Sequence, residues 1–116
     1  MTAPLARVVV ERHGPVAVAR LAGELDLSNA TTVEEQVSRG LGEVTAVAVD
    51  LAGLSYLDSA GLALLSRLAT RIAGPGGTLR LVVPPDALVR RALQISGLAE
   101  AIPVDETVEA ALVALR

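Results

Sequence analysis

The chain contains no cysteine, phenylalanine, tryptophan or lysine, and only one tyrosine. Without cysteine it can form neither a disulfide framework nor a thiolate metal site, so its stability must come from burial. The lack of flat aromatic side chains argues against a base-stacking platform for single-stranded nucleic acid. All ten basic residues are arginines, with no dense run among them, and the formal net charge is −3. The electrostatic footprint of a nucleic-acid binder is therefore missing. No apolar run approaches the roughly 20 residues of a membrane helix. The opening MTAPLARVVVERHG has a short apolar stretch broken by Arg7 and Glu11, which is not the pattern of a secretory signal. The expectation is a cytoplasmic protein with no direct nucleic-acid partner and no membrane insertion.

What is present is aliphatic. Hydrophobic residues make up 52% of the 116 positions, almost all of them Ala, Val, Leu and Ile. A chain of this size buries roughly two-thirds of its unfolded surface as one domain, and aliphatic cores of this kind suit strands packed under helices.

The pattern along the chain alternates strand and helix. Val8 to Val10 form an apolar run that stops at the turn His13-Gly14-Pro15. Val16 to Leu25 alternate as a second strand, so the first two elements read as a hairpin. Ser28 is a candidate N-cap, with Thr31 and Thr32 as rivals. The helix that follows carries Val33, Val37 and Leu41 and stops near Gly40 or Gly42. Val44 to Leu51 reads as a strand buried on both faces, and Gly53 to Leu57 as a loop. Asp58-Ser59-Ala60-Gly61 opens a second helix to about Ala73, with Leu64, Leu65, Leu68 and Ile72 inward and Ser66, Arg67, Thr70 and Arg71 outward. Gly74-Pro75-Gly76-Gly77 ends it. Thr78 to Val83 is a further strand, stopped by Pro84-Pro85. Asp86 is expected to cap a third helix through Leu88, Val89, Ala92, Leu93 and Ile95, ending at Gly97. Ile102 to Val104 is a short last strand, and Asp105 or Thr107 caps a final helix over Val108 to Leu115. The order is ββαβαβαβα. It implies an α/β fold, one domain over residues 1–116, with a mixed but mostly parallel sheet of about five strands and about four helices.

Two short segments carry candidate chemistry. In Asp58-Ser59-Ala60-Gly61, Asp58 at the N-cap can accept from first-turn N–H groups, which leaves Ser59 at the first helical position with its hydroxyl facing solvent. Gly61 permits a close backbone approach. A serine at a helix start is most often only a cap. Asp26, in Gly23-Glu24-Leu25-Asp26, follows a strand whose end should share one sheet edge with the loop before Ser59. It is equally readable as a turn residue.

With these residues the chain resembles the STAS domain, the family of sulfate transporters and antagonists of anti-sigma factors. Gly23-Glu24-Leu25-Asp26 is similar to the family's GELD after its second strand. Val47 to Leu51 with Leu57-Asp58-Ser59-Ala60-Gly61-Leu62 is similar to the strand, loop and D-S-x-G-L that carries a phosphorylated serine. Leu93-Gln94-Ile95-Ser96-Gly97-Leu98 before Ile102-Pro103-Val104 resembles the family's L-x-I-x-G-L ending. The resemblance spans nearly the whole chain. It implies an anti-sigma factor antagonist in partner-switching control of transcription. Such a protein binds an anti-sigma factor that is also a serine kinase and so frees a sigma factor. Phosphorylation, here at Ser59, switches it off, and a serine phosphatase resets it. The resemblance places Asp26 and Asp58 beside Ser59; a partner reaching Ser59 must also touch the first turns of its helix, so Asp26, Asp58, Ser59, Ala60, Gly61, Leu62, Ala63 and Arg67 are the expected partner-binding residues, with Arg67 either pairing with an acid on the partner or simply solvated. Ala60 stands where many members have a second hydroxyl.

A second reading is the small STAS subunit of an ATP-driven lipid transport system, docking its ATPase through Ser59 to Leu65. The intact GELD segment and the complete ending favour the first. A serine hydrolase is a third, but Ser59 lacks a G-x-S-x-G elbow. His13, the single histidine, is distant in sequence and reads as a solvated turn residue. The acidic residues show no metal-ligand spacing, and Gly74 to Gly77 lacks the Lys-Ser/Thr of a phosphate loop. No catalytic residue, metal or cofactor is expected, and the chain is not expected to be an enzyme.

Overall fold

The computed structural model describes residues 5–116. Strand β1 (Ala6–His13) turns through Gly14-Pro15 into β2 (Val16–Leu25). Gly14 has φ 64° ahead of Pro15, the backbone of a two-residue turn that suits twisted antiparallel strands. Helix α1 (Ala30–Leu41) leads to β3 (Ala46–Leu57), α2 (Ser59–Ala73) and β4 (Thr78–Val82). Two short helices, α3 (Arg90–Ile95) and α4 (Leu98–Ala101), then precede β5 (Val104–Asp105) and α5 (Val108–Leu115). The five strands lie in the order β1-β2-β3-β4-β5. Only β1 and β2 are antiparallel; the other pairings are parallel.

The sheet is covered on both faces. On one, Ala17, Ala19 and Leu21 of β2 and Val47, Val49 and Leu51 of β3 meet Val33 and Val37 of α1 and Leu64, Leu65 and Leu68 of α2. On the other, Val16, Val18, Ala48 and Val82 meet Ala111 and Leu112 of α5. Strands buried on both faces need the unbroken β-branched and small-residue runs seen here.

The second face also carries charge beside these residues. Among the described residues Asp50 is the one buried charged side chain, at 7% exposure. Its carboxylate accepts from Arg20 at 2.8 Å and from the Ala52 N–H at 3.0 Å, which is how a buried charge is made tolerable. Arg20 donates in turn to Glu11 at 2.8 Å. Hydrogen bonds from Arg20 and then His13 hold the Glu11 carboxyl below its ordinary range. On the same face Arg80, beside Ala48 in register, donates to Asp105 at 2.6 Å.

Four expectations change. Residues Gly53 to Leu57 are strand, not loop: β3 stays in register with β2 out to Leu25↔Leu57 by absorbing two irregularities, between Arg20 and Ala22 and between Gly23 and Glu24. A side chain on Gly53 would put its Cβ 3.0 Å from that of Ala22, so the glycine marks a bulge rather than an end. Ser28 does not cap α1. Asn29 holds the N-cap position and Ser28 is drawn into a turn, its N–H donating to the Asp26 carboxylate at 2.9 Å. Asp86 caps nothing either. Pro84 to Ala87 form a turn, closed by Ala87 N–H to Pro84 carbonyl at 3.0 Å, and α3 begins only at Arg90. Leu88 and Ile95 are accordingly 74% exposed. Gly97, at φ 81°, ends α3 as expected, but the chain makes another helical turn, α4, before β5.

Leu68 is 1% exposed at the centre of the α2 stripe. Leu68→Ala should therefore cost about 2–5 kcal/mol in urea unfolding. A loss below about 1 kcal/mol, within the range of surface substitutions, would contradict this packing.

Candidate functional site

The site is built where β2 and β3 end together. Their parallel register carries both to the same edge, with Glu24 beside Tyr56 and Leu25 beside Leu57. The Asp58 N–H donates to the Leu25 carbonyl at 3.3 Å, one step past the strands.

Asp58 then fastens three backbone groups. One carboxylate oxygen accepts from Ala60 N–H at 2.9 Å and Gly61 N–H at 3.1 Å, capping α2. The other accepts from Leu27 N–H at 3.1 Å, tying the β2–α1 loop to the start of α2. Asp26 is likewise engaged, by the N–H and hydroxyl of Ser28. Asn29 locks the loop from below: its carbonyl oxygen accepts from Asp26 N–H at 3.0 Å and its amide donates to the Glu24 carbonyl at 2.8 Å.

Ser59 is the first residue of α2 and is exposed. Since Asp58 does the capping, the helix does not require the Ser59 hydroxyl. Gly61 is buried under the preceding strand ends: a Cβ there would lie 2.3 Å from a methyl of Leu57 and 3.1 Å from Leu25. Its role is to let α2 seat against those leucines. Ala60 and Leu62 are half-buried against the same core, and Ala63 is exposed one turn beyond Ser59. Asp26, Asp58, Ser59 and Ala63 thus come to one edge.

Arg67 is exposed but not unpartnered. Its guanidinium donates to Glu34 of α1 at 2.6 and 3.1 Å, and one turn on Arg71 donates to Ser38. Arg67, expected to meet an acid on a partner, is paired here with Glu34 along the α1–α2 seam. The bond from Arg67 holds the Glu34 carboxyl below its ordinary range against the opposing effect of burial, and raises the Arg67 guanidinium in return.

Two exposed apolar residues at this edge escaped the sequence reading. Leu27 is 82% exposed and Tyr56, the single aromatic, 48%. The available signal was a leucine set between Asp26 and Ser28, where a turn needs no apolar side chain.

A solvent-facing serine at a helix start, framed by two engaged aspartates at the edge of a five-stranded mixed sheet, is an arrangement for presenting a hydroxyl on a surface. The profile of the STAS domain matches residues 7–111, and the chain belongs to the STAS domain family. It is 31% identical over 111 residues to the anti-sigma-F factor antagonist RsfB of Mycobacterium tuberculosis, covering 94% of this chain and 88% of RsfB. A crystal structure of an anti-sigma factor antagonist from Mycobacterium paratuberculosis is 28% identical, with TM-score 0.86 over 100% of this chain and 99% of that one. The Bacillus cell fate determinant SpoIIAA, solved in the phosphorylated form, is 26% identical, with TM-score 0.66 over 95% of this chain and 100% of that one.

Replacing Asp58 with alanine removes the α2 cap and the tie to Leu27 together. The expected loss is about 1–2 kcal/mol in urea unfolding, with faster hydrogen exchange at the Leu27, Ala60 and Gly61 amides. Unchanged exchange at Leu27 would contradict the bridge. Glu34 gives a pH test. Because its folded pKa is depressed, its contribution is present above its ordinary value of about 4.5 and is lost as pH falls through the lower folded value. Glu34→Gln should therefore be less stable than wild type at neutral pH, and the two should converge in acid below that range.

Proposed function

We propose that this chain is an anti-sigma factor antagonist. In this reading it binds an anti-sigma factor that is also a serine kinase, thereby frees a sigma factor, and is switched off by phosphorylation of Ser59; a serine phosphatase restores it. The observation that carries the reading is the Ser59 hydroxyl, exposed at the head of α2 while Asp58 caps the helix. Relatives named as antagonists, one of them solved in a phosphorylated form, support it.

The electrostatics supply a mechanism. A phosphate adds about −1.5 to −2 charge. Ala60 and Gly61 N–H already bond to Asp58, and Leu62 N–H to the Asp58 carbonyl. A phosphate on Ser59 would find the first-turn donors it could use largely taken, so it would project outward beside Asp26 and Asp58. A partner surface fitted to a neutral hydroxyl between Leu27 and Tyr56 would then meet charge and bulk. The fold itself need not change.

A binding role rather than an enzymatic one is part of the proposal, as is a cytoplasmic setting. His13 stands at the opposite end of β2 from Asp26, about 30 Å of extended strand away, and so supplies no base to Ser59. Among the described residues no helix is long and apolar enough to cross a membrane.

With the cognate kinase and ATP, a single phosphate should appear on Ser59 in peptide mass spectrometry and be absent from Ser59→Ala. In calorimetry Ser59→Ala should bind the anti-sigma factor like wild type, and Ser59→Asp at least about tenfold more weakly, a difference of about 1.4 kcal/mol. Equal affinity for the two variants would put the hydroxyl outside the interface.

A further inference from the structure

Among the described residues the sheet has one long edge, β1, with no further strand beside it. β1 pairs only with β2, runs eight residues, and contains neither proline nor a register break. Proteins commonly blunt such an edge with those devices. The pairing parity shows which backbone groups are left over. The turn at Gly14-Pro15 closes on His13↔Val16, and at the far end Glu24 N–H donates to the Leu5 carbonyl at 2.8 Å. Odd-numbered residues of β1 therefore exchange hydrogen bonds with β2, and Ala6, Val8, Val10 and Arg12 turn their N–H and C=O groups outward.

The sequence of this edge is its own complement. Residues 7–11 read Arg-Val-Val-Val-Glu. We propose that β1 pairs antiparallel with β1 of a second copy of this chain, about a twofold axis at Val9. This register sets Val8 opposite Val10 of the other copy, so the outward backbone groups meet as hydrogen-bonded pairs. Val9, 53% exposed, meets its own counterpart, and Arg7 meets Glu11 at both ends. These last pairs fall at non-hydrogen-bonded positions, where facing side chains approach most closely. Arg7 makes no ion pair among the described residues, while Glu11 already receives Arg20 and His13. Arg7 of the second copy extends that charge chain. A groove of about 560 Å³ runs along the edge between β1 and Gln36 and Gly40 of α1, which leaves room for the incoming strand. Ser59 follows β3, two strands inward, and stays outside the contact.

Pairing of one short strand buries less than the roughly 1,000 Å² of a stable interface, so the dimer forms in a concentration-dependent way. Sedimentation from about 10 μM to about 1 mM should show the dimer fraction rising, with Arg7→Glu weakening association at least about tenfold. Because the chain has no cysteine, a single Val9→Cys reports the register. Facing residues at a non-hydrogen-bonded pair lie within disulfide reach. Under mild oxidation Val9→Cys should cross-link at least about tenfold faster than Val113→Cys, on α5 and 71% exposed. A monomer throughout that range, a dimer indifferent to Arg7→Glu, or equal cross-linking of the two cysteines would each overturn the proposal.

Discussion

The parallel pairing of β2 with β3 governs where everything else in this protein can be. It runs from Val16↔Ala46 to Leu25↔Leu57 and survives two irregularities on the way. A parallel pair delivers both chain ends to one edge, and here each is followed directly by a loop and a helix. The β2–α1 loop and the head of α2 are neighbours for that reason alone, although residues 26 and 58 are far apart in sequence. Had β3 stopped at Leu51, the chain would have entered α2 through a free loop, and the Asp58 to Leu27 hydrogen bond would have had no fixed geometry. Gly53 makes the extension possible, because any side chain there would crowd Ala22.

The two faces of the sheet solve different problems. The α1–α2 face is closed by aliphatic packing and, along its outer seam, by the Glu34–Arg67 pair. The α5 face is covered by one short helix over Val16, Val18, Ala48 and Val82. Beside these residues the sheet pairs charge with charge: Glu11 with Arg20, Arg20 with Asp50, and Arg80 with Asp105. Arg20 serves two carboxylates because its guanidinium offers several donors in a fixed fork.

Much of this was legible in sequence, and the exceptions share a cause. Element order, the hairpin, the α2 stripe and the Thr107 cap of α5 follow from period and local turn chemistry, which are properties of neighbouring residues. Where a residue's role depends on a distant strand, local signals mislead. Gly53 and Ser55 read as a loop because their pairing with β2 is invisible in sequence. Ser28 reads as a cap because its capture by Asp26 competes with helix entry. Arg67 reads as available because Glu34, 33 positions away, stands on another helix. The meeting of Asp26, Asp58 and Ser59 at one edge is legible from the D-S-x-G resemblance and the parallel order of the strands, but the exposure of Leu27 and Tyr56 is not, since exposure of an apolar side chain is a tertiary fact.

In the phosphorylation switch proposed above, Asp58 and Ser59 would divide two demands that one residue could not meet. A helix start needs an oxygen on its first N–H groups, and a reversible switch needs an oxygen free to accept a phosphoryl group. If the serine were the cap, modifying it would break the bonds that hold α2 in place, and every cycle of the switch would disturb the fold. With Asp58 as the cap, its two oxygens hold Ala60, Gly61 and Leu27 whatever the state of Ser59. Gly61 completes the arrangement by letting the first turn sit directly on Leu25 and Leu57. The hydroxyl thus stands on a turn held by hydrogen bonds that do not involve it, and under the proposed switch the free energy of adding charge there would be directed at a partner rather than at the fold beneath.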